Sequence, residues 1–257
     1  MCYDVSFKNN PEQLNNYFTK LSFDDPIDFE ITAAHIMGHS YGDHPIIYRY
    51  MASGKLHCKL MQWGVIPHYT KDLEGLKKRR ASMLNIRSER ILDDKTSYWN
   101  KIRTKRCLIP LTGFYEHREV RGFKNKIPYY IQLNDQPVFF VPGLYAAHHV
   151  VDKDSGEISR QYTYALITRN ANTVMAQIHN GGDNAGRMPL LLPLTCAKKW
   201  LNDNLTDSEY QDILDFEMHS AELCYRPVYT IRGRSGRPDD KEKDVAFEWE
   251  SLPALVL

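Results

Sequence analysis

The sequence predicts an α+β fold in a single domain, mainly antiparallel β with several peripheral helices. Sixteen tyrosines and ten phenylalanines fall among Val/Ile-rich runs bounded by turn residues, a composition typical of strands. Helical patterns are fewer and do not alternate regularly with the strands, which favours α+β over a βαβ arrangement. The 257 residues, 42% of them hydrophobic, suffice for one sizeable core.

Taken in order, apolar or alternating runs of strand length lie at residues 45–50, 56–63, 107–110, 129–133, 138–141 and 162–167. Asn134-Asp135-Gln136-Pro137 separates two of these runs and predicts a hairpin turn. Helices are expected from Pro11 to Leu21, from about Ser88 to Ile102, from Thr195 to Asn202 and from Thr206 to Met218. In the last of these, Thr206 and Glu209 have capping-box spacing. Three loops separate the elements: a charged one from Thr70 to Arg80, a flexible one from Gly181 to Gly186, and one from Gly233 to Asp244 dense in Gly, Arg, Lys and Asp. Residues 1–232 are read as the domain, and 233–257 as a mobile charged loop and tail belonging to it.

Lys and Arg number 33 against 32 Asp and Glu, so any contact with a polyanion must be a local patch. Five dispersed cysteines, with no C-x-x-C and no paired His spacing, argue against a zinc site or a disulfide framework and for a reducing compartment. The N-terminal residues are polar and no apolar run approaches the length of a membrane span, so a cytoplasmic protein without a membrane partner is expected.

Four places carry residues suited to chemistry. Cys2 follows the initiator Met, and its release would leave an amine (pKa about 8) and a thiol (about 8.5) on neighbouring atoms, a pair that captures an aldehyde first as an imine and then as a thiazolidine ring. Asn85 and Arg87 share one face if their segment is extended, suiting an orienting hydrogen bond beside a phosphate clamp. Glu116 lies in an aromatic strand beside Phe114, Tyr115 and His117; pointing inward it would have a raised pKa useful for proton transfer, pointing outward it would be an ordinary surface glutamate. His179 and Arg187 flank the glycine loop, where the histidine serves either proton transfer or a structural hydrogen bond. Trp63 fits either the core or a stacking platform for an unpaired base.

In this order the pieces resemble the SRAP family, the SOS-response-associated peptidases or abasic-site processing proteins. The matching positions are Cys2, Trp63-Gly64 with Pro67, Asn85-x-Arg87-x-Glu89, Arg106-Cys107-Leu108-x-Pro110-x-x-Gly113-Phe114-Tyr115-Glu116, Pro128-Tyr129-Tyr130, Gly143-Leu144-Tyr145, Thr168, His179 and Arg187-Met188-Pro189, with Tyr225-Arg226-Pro227-Val228 later. The resemblance implies a barrel-like mixed sheet with a positive groove for single-stranded DNA containing abasic sites, no cofactor, no metal and a monomer. It makes Cys2 the nucleophile after Met1 is removed, Asn85 an orienting group, Glu116 a proton shuttle and His179 an assistant in ring opening or adduct stabilisation. DNA contacts are expected from Trp63, Lys77, Arg79, Arg87, Arg106 and Arg187. Tyr3-Asp4 stands where the family commonly has Gly-Arg, so one phosphate contact is expected to be missing and Asp4 to repel the DNA backbone. Two other readings stay open: an N-terminal-nucleophile amidohydrolase with no DNA role, and a non-catalytic single-strand-binding module in which Cys2 is incidental.

Overall fold

The computed structural model describes residues 2–25, 33–70, 75–76, 79–151, 156, 158–233 and 236–256. In chain order the strands are β1 (Asp4–Phe7), β2 (Ser22–Phe23), β3 (Ala33–Met37), β4 (Asp43–Tyr50), β5 (Lys55–Trp63), β6 (Asn85–Arg87), β7 (Arg106–Leu111), β8 (Gly113–Arg118), β9 (Ile127–Leu133), β10 (Phe139–Val151), β11 (Ile158–Asn170), β12 (Arg187–Pro189) and β13 (Leu223–Pro227). The α-helices that matter below are short: α1 (Glu89–Leu92), α2 (Tyr98–Lys101), α3 (Thr173–Ile178), α4 (Leu194–Trp200) and α5 (Asp207–Leu214).

Strands β11, β10, β7, β4 and β5 pair antiparallel in that order. The end of β5 then returns to β11 in parallel, with Gln62 opposite Thr163 and Trp63 opposite Tyr164, which closes a five-stranded barrel. Closure removes the unpaired edges that an open sheet would present. Farther along β11, β6 adds in parallel and β12 antiparallel, so the sheet is mixed as well as barrel-like. A second sheet, wholly antiparallel, runs β13-β9-β8-β1-β3.

The nearly continuous apolar runs of the barrel strands follow from burial on both faces. Ile46, Cys107, Ile109 and Leu166 enter one core cluster with residues of the second sheet such as Val5, Phe114 and Ile131. Their immediate neighbours Ile47, Leu108 and Ala165 point the other way, into a cluster with Leu14, Ile91, Trp200 and Ile213 from the helices. Successive strand side chains alternate faces, and each face has its own cover.

The α+β, barrel-like expectation holds, and its departures are local. Asn134–Pro137 does turn the chain, with Asp135 left-handed at φ 54° and Leu133 bridged to Gln136. It does not make a hairpin of its flanking strands, because β9 belongs to the second sheet and β10 to the barrel. The expected helix at Pro11 is a 3-10 turn, Pro11–Asn16. The one expected after Ser88 divides into α1 and α2 at Asp94, whose carboxylate accepts the backbone N–H groups of Thr96 and Ser97. Helix α3, not anticipated from the sequence, starts at Asn172, whose side chain accepts the N–H of Met175 at 3.0 Å. The Thr206–Glu209 capping box starts α5 as its spacing predicts.

Gly113 shows a glycine required by close approach: a Cβ there would lie 2.2 Å from the ring of Tyr130, whose hydroxyl is paired with Ser6 at 2.6 Å. This contact seats β8 between β1 and β9 and so aims Glu116.

Candidate active site

The site forms where β1 and β8 of the second sheet meet β6 and β12 of the barrel sheet. Asp4 pairs with Tyr115 and Val5 with Phe114, and continuing that antiparallel register brings Tyr3 opposite Glu116. Cys2, just before β1, is 0% exposed, and burial pushes its thiol well above the ordinary range. Its carbonyl accepts a hydrogen bond from Asn85 Nδ2 at 2.9 Å. Parallel pairing of β6 with β11 sets Asn85 opposite Leu166 and fixes its reach.

Glu116 points inward and is 4% exposed. Burial raises its carboxyl from an ordinary value of 4.5 to about 7. Glu116 Oε1 and Asn85 Oδ1 are both buried without a hydrogen-bond partner among the described residues. Unsatisfied buried acceptors cost stability, so two of them near one thiol mark a place that packing alone has not optimised.

His179 caps the C-terminal end of α3, its N–H bonding to Met175 O at 2.7 Å. Its Nδ1 lies 2.7 Å from the backbone carbonyl of Arg187, which can only accept, so Nδ1 carries a proton. Nε2 is 3.7 Å from Glu116 Oε2. Burial lowers the imidazole pKa to about 4, so the ring is neutral near pH 7 while Glu116 is about half protonated. At 3.7 Å the two groups are neighbours and not hydrogen-bonded, and it is the carboxyl, poised near neutrality, that can give or take a proton.

The four residues expected to carry chemistry, Cys2, Asn85, Glu116 and His179, therefore converge. The expected DNA contacts do not all survive. Trp63 is 1% exposed, donates Nε1–H to Leu84 O at 2.9 Å and stacks on Tyr164, so it is core and cannot serve as a platform for a base. Arg106 is buried beside the mutually packed rings of Trp200 and Tyr210 and donates to the carbonyls of Trp200 and Asn202, so its charge is spent on the fold. Arg187 is buried in a bidentate pair with Glu89, at 2.5 and 3.1 Å, and also donates to Thr168 and Asn170; it cannot clamp a phosphate in this arrangement. Arg87 is exposed and touches Asn184 at 3.2 Å, and Arg79 is exposed. Lys77 lies outside the described residues.

The expectation for Asp4 is also corrected. Its carboxylate is buried and receives Arg232 through two nitrogens, at 2.9 and 2.5 Å, and His35 Nε2 at 2.7 Å. Burial would raise its pKa, but these partners outweigh that and hold it below the ordinary value. Its charge is thus neutralised internally and faces no DNA backbone. Nothing in the sequence near Asp4 announces Arg232, which arrives from beyond β13.

All five cysteines are free. Among the described residues no helix is long and apolar enough to cross a membrane, and no group of three or more His, Cys, Asp or Glu side chains is arranged to hold a metal ion.

Residues 1–232 match the family model described as SOS response associated peptidase (SRAP). The chain belongs to the SRAP family. Among its SRAP relatives, the abasic site processing protein YoqW of Bacillus subtilis is 35% identical over 150 residues, covering 58% of this chain and 59% of YoqW. The abasic site processing protein YMR114C of Saccharomyces cerevisiae is 31% identical over 134 residues, 52% of this chain and 31% of the relative. The abasic site processing protein HMCES of Xenopus tropicalis is 26% identical over 193 residues, 68% of this chain and 53% of the relative. The chain thus spans between about a third and three fifths of the length of these relatives. A crystal structure of a protein from Bacteroides thetaiotaomicron superposes with a TM-score of 0.74 at 27% identity, covering 95% of this chain and 97% of that one. A second, from Bordetella bronchiseptica, shares the SRAP chain's fold at a TM-score of 0.69 and 18% identity, covering 89% and 100%.

Proposed function

We propose that this SRAP chain senses abasic sites in single-stranded DNA and captures them covalently through Cys2. The observation that carries the reading is the convergence on Cys2 of an orienting amide, Asn85, and a buried carboxyl, Glu116, with a pKa of about 7 and an oxygen without a partner among the described residues. The names of the curated relatives, abasic site processing proteins, support the substrate.

Met1 leaves first, by hydrolysis of the Met1–Cys2 peptide bond through self-cleavage or an aminopeptidase, because an acylated nitrogen is not a nucleophile. The free amine adds to C1′ of the open-chain deoxyribose aldehyde and gives a carbinolamine. Protonated Glu116 donates to the departing hydroxyl, which leaves as water, and an iminium, with the nitrogen still carrying its hydrogen, remains beside the Glu116 carboxylate. The Cys2 thiol adds to the iminium carbon and its proton passes to that carboxylate, so the net change is one thiazolidine formed, one water released and Glu116 protonated again. Both nucleophiles sit on one residue, so closure is intramolecular, with an effective concentration on the order of molar or above. His179, beside Glu116, assists opening of the sugar ring or stabilises the adduct, and Asn85 holds the Cys2 carbonyl so that amine and thiol face the same carbon. Arg87 and Arg79, both exposed, supply phosphate contacts.

Mixing the protein with single-stranded DNA bearing one abasic site should give a heat-stable, SDS-resistant shifted band, and Cys2→Ala should abolish it. No band with the wild type, or an equally stable adduct with Cys2→Ala, overturns the assignment. Turnover of small amides without DNA would favour the amidohydrolase reading instead.

A further inference from the structure

Beyond Arg232 the chain comes back onto the molecule. Ala246 bridges Val228, and Phe247 donates its N–H to Pro227 O at 2.9 Å. Trp249 follows, donating Nε1–H to Val228 O at 3.0 Å and stacking on Tyr229 at 5.9 Å with the ring planes 9° apart. Residues 249–256 then run from the second sheet to α3, with Leu252 and Leu255 packed on the core cluster that holds Tyr129, Met175 and Ile178.

Two side chains hold this segment, and both grip its backbone. Arg118, the last residue of β8, donates to the carbonyls of Pro253 at 2.5 Å and Ala254 at 3.4 Å. Gln177, on α3, donates Nε2–H to Val256 O at 2.6 Å and accepts the Val256 N–H at 2.9 Å. Pro253, Ala254 and Val256 are themselves exposed, Val256 to 78%, so this end of the segment buries little apolar surface. What it supplies is geometry, because a guanidinium on carbonyls and a two-way amide pairing are directional.

The anchors lie next to the reacting groups. Arg118 follows Glu116 by two positions in β8, and Gln177 precedes His179 by two at the end of α3. Asn180 and Glu119 join the same two elements directly: Asn180 Oδ1 accepts the Glu119 N–H at 2.7 Å, and Asn180 Nδ2 donates to Glu119 O at 2.9 Å. One such link sets a separation but leaves a pivot. A second, through the C-terminal segment, removes the pivot and so bears on the 3.7 Å between His179 Nε2 and Glu116 Oε2.

Resting on the function proposed above, we infer that residues 249–256 are a positioning strap, which through Arg118 and Gln177 locks α3 against the end of β8 and holds His179 beside Glu116 for capture of the sugar. The groups able to carry charge that face this pair are Cys2, Asp4, His117, Lys126, Arg232 and the amino terminus, and none belongs to the strap. Loosening the strap therefore acts by admitting water, which lowers the Glu116 pKa from about 7 and raises that of His179 from about 4.

Val256→Pro removes the N–H that Gln177 accepts, Gln177→Ala removes both bonds, and Val256→Ala keeps both. In single-turnover capture of an abasic site by the full chain at saturating protein, the first two variants should react roughly fivefold slower per folded molecule. The protein concentration giving half the maximal rate should be unchanged. The alkaline fall of the rate, set by loss of the Glu116 proton, should move to lower pH in both, and Val256→Ala should match the wild type. A wild-type rate and profile in either of the first two variants overturns the strap, as does an equal loss in Val256→Ala. Slowing that merely follows the folded fraction from urea unfolding, with the pH profile unmoved, overturns it too. If the wild type forms no adduct at all, the capture reading fails separately, and NMR titration of the His179 imidazole decides for the strap. There, a higher pKa in Val256→Pro than in the wild type supports it, and equal values overturn it.

Discussion

Arg106 and Glu116 are both buried charged-type residues, on the successive strands β7 and β8, and their surroundings differ in kind. Arg106 lies against two mutually packed aromatic rings, with two backbone carbonyls accepting from its guanidinium. Among the described residues, Glu116 has one oxygen without a partner and a histidine nitrogen 3.7 Å from the other. The first environment lowers the guanidinium's pKa by burial, yet arginine stays protonated, and its bonds tie α4 to the barrel. The second penalises the charged form and leaves the carboxyl at about 7. In this pair the contrast is one of titration: the guanidinium stays charged whatever its surroundings, whereas the carboxyl's burial keeps a proton exchangeable near pH 7.

The largest expected effect tests the chemical side. Glu116→Gln should slow adduct formation roughly a hundredfold or more, since an amide cannot donate the proton that water needs to leave. The wild-type rate should peak between about pH 7 and about pH 8, where protonated Glu116 and the free Cys2 amine coexist, and the variant should lose the fall on the alkaline side. Single-turnover rates against pH read this directly; a variant with the wild-type rate and profile would make Glu116 merely structural.

Stability against pH separates Glu116 from its histidine neighbour. The folded state keeps the Glu116 proton that the unfolded chain loses above its ordinary value of 4.5. Its contribution is therefore complete below pH 4.5 and is lost as pH rises through about 7, on the order of 3 kcal/mol in all. His179 has the opposite sign: depressed from 6.5 to about 4, it contributes above pH 6.5 and that contribution is lost as pH falls towards about 4. Urea unfolding should show the wild-type advantage over Glu116→Gln shrinking from pH 4.5 to about 7, and that over His179→Gln growing from about 4 to 6.5. A flat difference for either variant would mean that the group does not titrate as its burial dictates.

On the structural side, Arg106→Ala should cost about 2–4 kcal/mol, by loss of two charge-assisted hydrogen bonds and the ring contacts, with the adduct rate per folded molecule unchanged. A reduced salt dependence of DNA binding in that variant would instead return Arg106 to the interface. The smallest effect is at Trp63: Trp63→Phe should cost about 1 kcal/mol through the lost bond to Leu84 and leave DNA affinity alone. Weaker DNA binding at unchanged stability would contradict its place in the core.

Much of this molecule was legible in the residue pattern. The runs at 45–50, 56–63 and 162–167 are strands because period-2 patterning and β-branched or aromatic residues act locally. Barrel closure was not legible from those runs, since the pairing of Trp63 with Tyr164 joins strands far apart in the chain. The turn at Asn134–Pro137 illustrates the boundary: its residues dictate a change of direction but not which sheet each arm enters. Helix α3 escaped notice because one short turn and a half carries little periodic signal.

At the site, residue chemistry marked Cys2, Asn85, Glu116 and His179 as candidates with ordinary alternatives, and it was their order, resembling the SRAP family, that implied their roles. Availability was another matter. Arginine reads the same in sequence whether it meets a phosphate, as proposed for Arg87, or is enclosed by Glu89, as Arg187 is. Asp4 likewise looked like a repulsive charge until Arg232 and His35 closed on it. Residue type and local period are properties of adjacent positions, so they survive in one dimension. Burial, ion pairing and the pKa of Glu116 depend on neighbours brought from distant strands, and only folding supplies those.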